Sequence, residues 1–255
     1  MLTSLLRSGL RKLGFEVARY NPDANKITED SDFSDADRAL IKSVKPFTMT
    51  TAERIVGLRS AVQYIVSNRL PGAFVECGVW RGGSTMAAAL TFLEGGDTSR
   101  DLWLFDTFEG MPPPQDIDVK WDGTSAQTLL ATHPRNTDDY IWALAPIEAV
   151  RTNLASTGYP EERWHLIPGR VEDTIPGQAP ETIALLRLDT DWYESTKHEL
   201  EHLYSRVVPG GVIIIDDYGW YRGSRQAVDE FLAKLPFKPL LNRMDRSARL
   251  IIKPH

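Results

Sequence analysis

LLRLDTDWYE, residues 185–194, is an apolar run that stops on two aspartates spaced two apart, and VIIIDDYG, residues 212–219, stops on two more. Both runs read as strands buried on two faces. Bare negative charge at the edge of such a core is costly, so something must compensate it. As the fourth and fifth strands of a doubly wound sheet they would be neighbours, about 4.8 Å apart, and would end at the same ligand-binding edge. That arrangement sets Asp189 beside Asp216. Asp217 would face the other way in a regular strand, but Tyr218-Gly219 breaks the strand and lets it turn in. Three carboxylates with room for water suit a hard cation, Mg2+ more readily than Zn2+. The competing reading has them cap helices or pair with Arg187 or Arg222.

Strands and helices alternate around this pair. Strands are expected at 73–79, 101–108, 164–169, 183–189 and 211–217. Helices are expected at 51–68, opened by a Thr50-x-x-Glu53 capping box, at 84–93 with Ser84 as N-cap, from Pro146 to Gly158, at 194–207 and at 224–235. FKPLLN (237–242) and ARLIIK (248–253) read as a closing hairpin. The pattern gives an α/β fold: a doubly wound, mostly parallel sheet with helices on both faces and an antiparallel C-terminal edge. The domain is expected to span 51–255, preceded by an N-terminal helix and an acidic connection over 1–50. Residues 111–143 are too long for an ordinary connection and carry Trp121, His133, Tyr140 and Trp142, which favours a lid.

Two further strand ends point to a ligand. ECGVWRGGST (76–85) turns from the first strand into a helix whose free amides suit an anion. Gly78 and Gly82 permit close approach, and Glu76 could accept from a ligand ammonium. The spacing is not the dinucleotide fingerprint. Asp106 ends the second strand, where an acid commonly receives ribose hydroxyls. Together they read as a site for an amino acid joined to a nucleoside, as in S-adenosylmethionine. HELEH (198–202) matches the zinc-protease pattern, but at 100° per residue its histidines fall opposite the apolar face, toward solvent.

Bulk properties exclude several classes. The chain has 255 residues and a formal net charge of −6, with no Lys/Arg-dominated face, so no nucleic-acid partner is expected. One cysteine, Cys77, lies inside an apolar strand and reads as an inert buried thiol in a cytoplasmic protein. MLTSLLRSGLRKLGF is basic with leucines at helical spacing and lacks the features of a secretory signal. It reads as a helix packed on its own domain or on a second subunit, with a peripheral membrane contact through residues 1–15 as the alternative.

With these residues assembled, the chain resembles the macrocin-type O-methyltransferases, which methylate deoxysugar hydroxyls of macrolide and aminocoumarin antibiotics. The resemblance rests on TMTTAER (48–54), VECGVWRGGS (75–84), LFDTFEGMPPP (104–114), PGRVEDTIP (168–176), LLRLDTDWY (185–193) and PGGVIIIDDY (209–218). It implies a class I methyltransferase fold that uses S-adenosylmethionine and Mg2+ on a sugar or other small-molecule or glycan hydroxyl. By motif, Asp189, Asp216 and Asp217 would hold the metal, and Asp191 would be the general base, with His133 the next candidate. Glu76, Gly78, Gly82, Ser84, Asp106, Gly169 and Asp173 would line the cofactor, with Thr48 and Met49 covering it. A homodimer is expected. The alternative reading is a glycosyltransferase holding a metal–nucleotide diphosphate on Asp189-x-Asp191.

Overall fold

The computed structural model describes residues 32–137 and 139–254, and Phe33–His255 form one compact unit. The expectations for residues 1–15 and most of the acidic connection fall outside the described residues. In chain order the elements are α1 (Asp35–Val44), α2 (Ala52–Ser67), β1 (Ala73–Cys77), α3 (Gly83–Glu94), β2 (Leu102–Asp106), α4 (Ala126–Thr132), α5 (Ile147–Ala155), β3 (Trp164–Pro168), α6 (Val171–Thr174), β4 (Ile183–Leu188), α7 (Tyr193–Leu203), β5 (Val207–Ile215), α8 (Arg222–Lys234), β6 (Asn242–Arg243) and β7 (Arg249–Ile252).

The sheet runs β3-β2-β1-β4-β5-β7-β6. Its first five strands are parallel, and β7 is antiparallel to both neighbours. The order reverses between β1 and β4, and the crevice beyond the strand ends at such a point is where open α/β sheets bind ligands. Strand side chains alternate between two apolar layers. Phe74, Leu102 and Leu104 pack with Ile55, Val62 and Phe92 on one face. Val75, Phe105, Ile183 and Leu186 pack with Leu200, Leu203 and Val228 on the other. Cys77 is fully buried, and that burial pushes its thiol well above the usual range.

Three local expectations are corrected. The cap of α2 is Thr51, whose side chain accepts from the Arg54 amide, while the Thr50 hydroxyl bonds Thr48 instead. That shift puts Arg54, not Glu53, at the third helical position and frees its side chain for other work. The cap of α3 is Gly82 at φ 85°, with Ser84 inside the first turn and buried. The closing hairpin is shorter than its apolar content suggests: β6 has two residues, and Phe237 and Leu240 lie outside any strand, 63% and 81% exposed. Two prolines, Pro236 and Pro239, interrupt that stretch and cannot donate to a ladder.

Residues 111–143 are tied down. Val119 and Lys120 meet Arg222 and Tyr221 in short backbone pairings, and Trp121 N–H donates to Trp220 O at 2.9 Å. Asp118 is 1% exposed and accepts from the Tyr193 amide at 2.8 Å. Ala126 and Leu130 of α4 form a small apolar cluster with Trp192 and Tyr221. The insertion is therefore a packed wall over the strand ends.

Candidate active site

The strand ends are brought level by bonds that extend the ladders. The Asp189 amide donates to Cys77 O at 2.8 Å, the Asp216 amide to Leu188 O at 2.9 Å, and the Gly169 amide to Asp106 O at 3.0 Å. Gly78 makes the closest approach possible. At φ 85° it lies against the Asp189 carbonyl, where a Cβ would come within 2.0 Å of the oxygen. No other residue fits there, so the glycine turn and the Asp189 turn are locked together.

Asp189, Asp216 and Asp217 converge as the register predicts. One oxygen from each lies within 4.8 Å of the others, and Asp216 and Asp217 are 2% and 6% exposed. Their compensation comes partly from the fold's own cations. Arg187, pointing in from the middle of β4, donates to Glu76 at 2.6 Å and to Asp189 and Asp216 at 2.7 Å each. Arg54 reaches from α2 to Asp216 and also bonds Asp245 at 2.8 Å. Burial alone would raise the Asp216 pKa, but Arg187 and Arg54 outweigh it and hold the group below the usual range. Asp189 and Asp217 stay raised, by burial first and then by neighbouring charge.

Two arginines do not neutralise the cluster. Glu76, Asp189, Asp191, Asp216 and Asp217 are five carboxyl groups against the guanidinium groups of Arg54 and Arg187. Asp217 Oδ2 is buried without a hydrogen-bond partner. Excess negative charge, converging oxygens and an unpaired buried acceptor are what a divalent hard cation satisfies, so the donor set fits Mg2+.

Two cavities meet at this edge. The smaller, about 100 Å3, is lined by Gly78, Asp106, Gly169, Arg170, Glu172 and Ser195, among others. The larger, about 740 Å3, takes in Thr48, Ser84, His133, Asp216, Asp217 and Trp220. Met49, Trp80, Ala143, Asp189 and Asp191 line both, so the cavities share a wall that carries a carboxyl facing each way. Asp191 holds a left-handed backbone, φ 67°, uncommon for a residue with a side chain. Burial, and then the Asp189 charge, pushes its pKa up to about 8, and its carboxyl is hydrogen-bonded to that of Asp217.

Other expected site residues divide. Asp106 is on the cleft, with its oxygens accepting from the Val79, Trp80 and Phe108 amides at 2.6, 3.0 and 2.7 Å. Glu76 is not available to a ligand: it is 1% exposed, and Arg187 and the Thr85 hydroxyl take its oxygens. Gly82 shapes the turn without lining either cavity. Asp173 sits exposed on the outer side of α6, and its neighbour Glu172 faces the cleft. His133 reaches the larger cavity, with Nδ1 donating to Leu129 O at 2.7 Å. His198 and His202 are half-buried, not solvent-facing. His198 Nε2 bonds Ile175 O at 2.9 Å, its ring packs on that of His202 with centres 4.3 Å apart, and neither lines the two cavities.

The fold and this arrangement of strand ends match known proteins. The macrocin O-methyltransferase (TylF) family matches over residues 8–251. The chain belongs to that family. It is an O-methyltransferase that depends on S-adenosylmethionine. A rhamnosyl-tetracenomycin-C 4'-O-methyltransferase of Streptomyces olivaceus is 35% identical over 199 residues, covering 78% of this chain and 72% of the relative. The mycinamicin III 3''-O-methyltransferase of Micromonospora griseorubida is 32% identical over 184 residues, 72% of this chain and 69% of the relative. Among solved structures, the O-methyltransferase NovP is 34% identical with a TM-score of 0.69, covering 82% of this chain and 83% of that one. Family membership removes the glycosyltransferase reading of Asp189-x-Asp191. Among the described residues of this methyltransferase no helix is long and apolar enough to cross a membrane.

Several site residues were given no role from the sequence. Arg54, Trp80 and Glu172 fall inside stretches that carry the resemblance, and Trp220 and Arg246 lie outside those stretches. Arg187, a lone charge in an apolar strand, was the signal for the buried ion network: its pairing with the carboxylates, raised as the competing reading, is present together with their convergence.

Proposed function

We propose that this enzyme methylates one of two adjacent hydroxyls on a sugar or glycosylated small molecule, with Mg2+ held by Asp189, Asp216 and Asp217. The observation that carries this reading is the convergence of those three carboxylates within 4.8 Å on the floor of a cavity that adjoins the cleft. Matched relatives named for methylation of rhamnosyl and other glycosylated products support the acceptor class.

When bound, S-adenosylmethionine supplies the methyl group and Mg2+ supplies Lewis acidity to the acceptor hydroxyls. Asp106, Gly78 and the Gly169–Glu172 turn hold the donor's nucleoside end at the smaller cleft, and its amino-acid end extends past the shared wall toward Thr48 and Ser84. Met49, Trp80 and Ala143 separate the two cavities and exclude water from the point of transfer. Asp191, lining both, takes the acceptor proton; its carboxyl lies at the wall the two cavities share and is hydrogen-bonded to that of Asp217. Arg187 and Arg54 keep Asp216 ionised and fix it in place. His133, which also lines the acceptor cavity, is the next candidate for the base.

The test is transfer of labelled methyl from S-adenosylmethionine to a panel of glycosides with vicinal hydroxyls, with Mg2+ and with excess chelator. Transfer that needs both the sugar and Mg2+ is expected. Full activity in chelator overturns the metal assignment, and transfer only to non-sugar hydroxyls overturns the acceptor class.

A further inference from the structure

The acceptor cavity changes character from floor to mouth. At the floor, Asp216 and Asp217 are almost fully buried, and the cations beside them, Arg54 and Arg187, are committed to carboxylates. At the mouth the lining is Lys120, Tyr140, Trp220 and Arg246. Arg246 is exposed in the β6–β7 turn and has no hydrogen bond or ion pair with a described residue. Its backbone is nonetheless fixed: a Cβ on Gly219 would lie 2.5 Å from the Arg246 carbonyl, and the Ser247 amide donates to Asp245 Oδ1 at 2.8 Å. Lys120 comes from the 111–143 insertion, its Nζ 5.0 Å from the Trp220 ring centre and 3.5 Å from an exposed Asp122 carboxylate. Two separate segments thus bring cations with hydrogen-bonding capacity to spare to the lining of one cavity, with Trp220 packed against one of them.

A neutral glycoside offers these cations nothing. The carboxylate of a uronic acid is fixed to the sugar ring and would lie near the acidic floor, where it would be repelled. An anion that projects from the anomeric carbon, away from the ring hydroxyls, meets both demands, and two cations brought to one cavity by separate segments suit two linked phosphates. At about 740 Å3 the cavity is also far larger than one sugar ring needs. We propose that the acceptor is a glycosyl diphosphate, with its ring hydroxyls at the Asp189–Asp216–Asp217 floor and its diphosphate between Lys120 and Arg246. This rests on the reading of the floor as the methyl-transfer site. It places methylation before the glycosyl-transfer reaction that would consume the activated sugar.

The experiment has two arms. In the first, methyl transfer is measured to one hexose in three forms: a nucleoside diphosphate sugar, a short polyprenyl diphosphate sugar and a neutral methyl glycoside. At least one diphosphate should exceed the neutral glycoside in kcat/KM by about tenfold or more, and R246Q and K120Q should each raise its KM by about tenfold. In the second, calorimetry follows uridine diphosphate and farnesyl diphosphate binding to wild type and R246Q, with S-adenosylmethionine affinity reporting that the variant is folded. Whichever diphosphate binds identifies the source, and its affinity should fall about tenfold in R246Q. Binding of neither, an unchanged KM in both variants, or preference for the neutral glycoside overturns the proposal. Diphosphate binding that R246Q weakens, without methyl transfer to any sugar, would support the anion site and indict the methyl-transfer reading of the floor instead.

Discussion

Replacing Arg187 by methionine tests whether the floor of the site is held by charge. The side chain is 3% exposed and donates to Glu76, Asp189 and Asp216 at 2.6, 2.7 and 2.7 Å. Methionine fills much of the same volume but supplies no donor. Glu76 then keeps only the Thr85 hydroxyl, and Asp216 keeps Arg54. Removing one partner of a buried ion network typically costs about 3–5 kcal/mol, because charge is left uncompensated. For a domain of this size each kcal/mol moves Tm by about 2–4 °C, so a fall of about 6–20 °C is expected. The deficit should depend on pH. Burial already raises the Glu76 pKa despite Arg187. Without Arg187 it rises further, so the folded protein holds a proton that the unfolded chain releases, and stability falls as pH climbs above the ordinary Glu range. R187M should therefore lose more, relative to wild type, at pH 8 than at pH 5. The assay is urea and thermal unfolding followed by circular dichroism at both pH values. The double variant E76L/R187M should recover part of the loss, since an apolar pair can replace a buried ion pair. A change below about 1 kcal/mol in R187M, or a double variant less stable than R187M, would refute the reasoning.

Three further outcomes are expected. Asp191→Asn should lower kcat by about 10²–10⁴-fold with the Mg2+ requirement unchanged, whereas Asp217→Asn should raise the Mg2+ concentration for half-activity; an equal shift in both would make Asp191 a ligand. Asp106→Ala should weaken S-adenosylmethionine binding by about 1.5–3 kcal/mol in calorimetry, and unchanged affinity would remove it from the cofactor site. Glu199 is 0% exposed and accepts from the Thr190 hydroxyl at 2.9 Å, directly between the two aspartates of the turn. Glu199→Leu should lower kcat while donor affinity holds, and Glu199→Gln should restore most of it; equal activity in the two variants would make that hydrogen bond irrelevant to the turn.

The architecture was legible because it rests on period and punctuation. Apolar runs separated by glycine turns and amphipathic helices leave few arrangements, and the positions of Asp106, Asp189 and Asp216 follow from their being the residues at which strands end. What escaped was contact at long sequence separation. Glu76 reads as a strand-end acid, yet it is half of a buried pair with a residue 111 positions away. Arg54 reaches Asp216 across 162 positions, and only the packing of α2 on the sheet brings them together. Asp173, carried over by motif, lies exposed on α6 while its neighbour Glu172 lines the smaller cavity, a difference of face that a four-residue helix is too short to declare in the sequence. The hairpin was overread because FKPLLN is apolar, while its prolines forbid the ladder that would have buried it.

Arg187 and Arg54 also bear on why the site retains so much negative charge. An ion network fully balanced by arginine would satisfy the fold and leave nothing to draw a cation. A cluster with no arginine would repel itself apart before a cation arrived. The arrangement found lies between these limits. Arginine from β4 and α2 approaches the carboxylates from the protein side, while Asp217 Oδ2 is left unpaired and Asp191 is held with its carboxyl against Asp217. The two arginines therefore set the geometry of Asp189 and Asp216 in advance and leave the remaining carboxyl groups open to a cation or a proton. A buried arginine in the middle of a strand that ends in aspartate is thus part of the functional site, even though it need never touch a substrate.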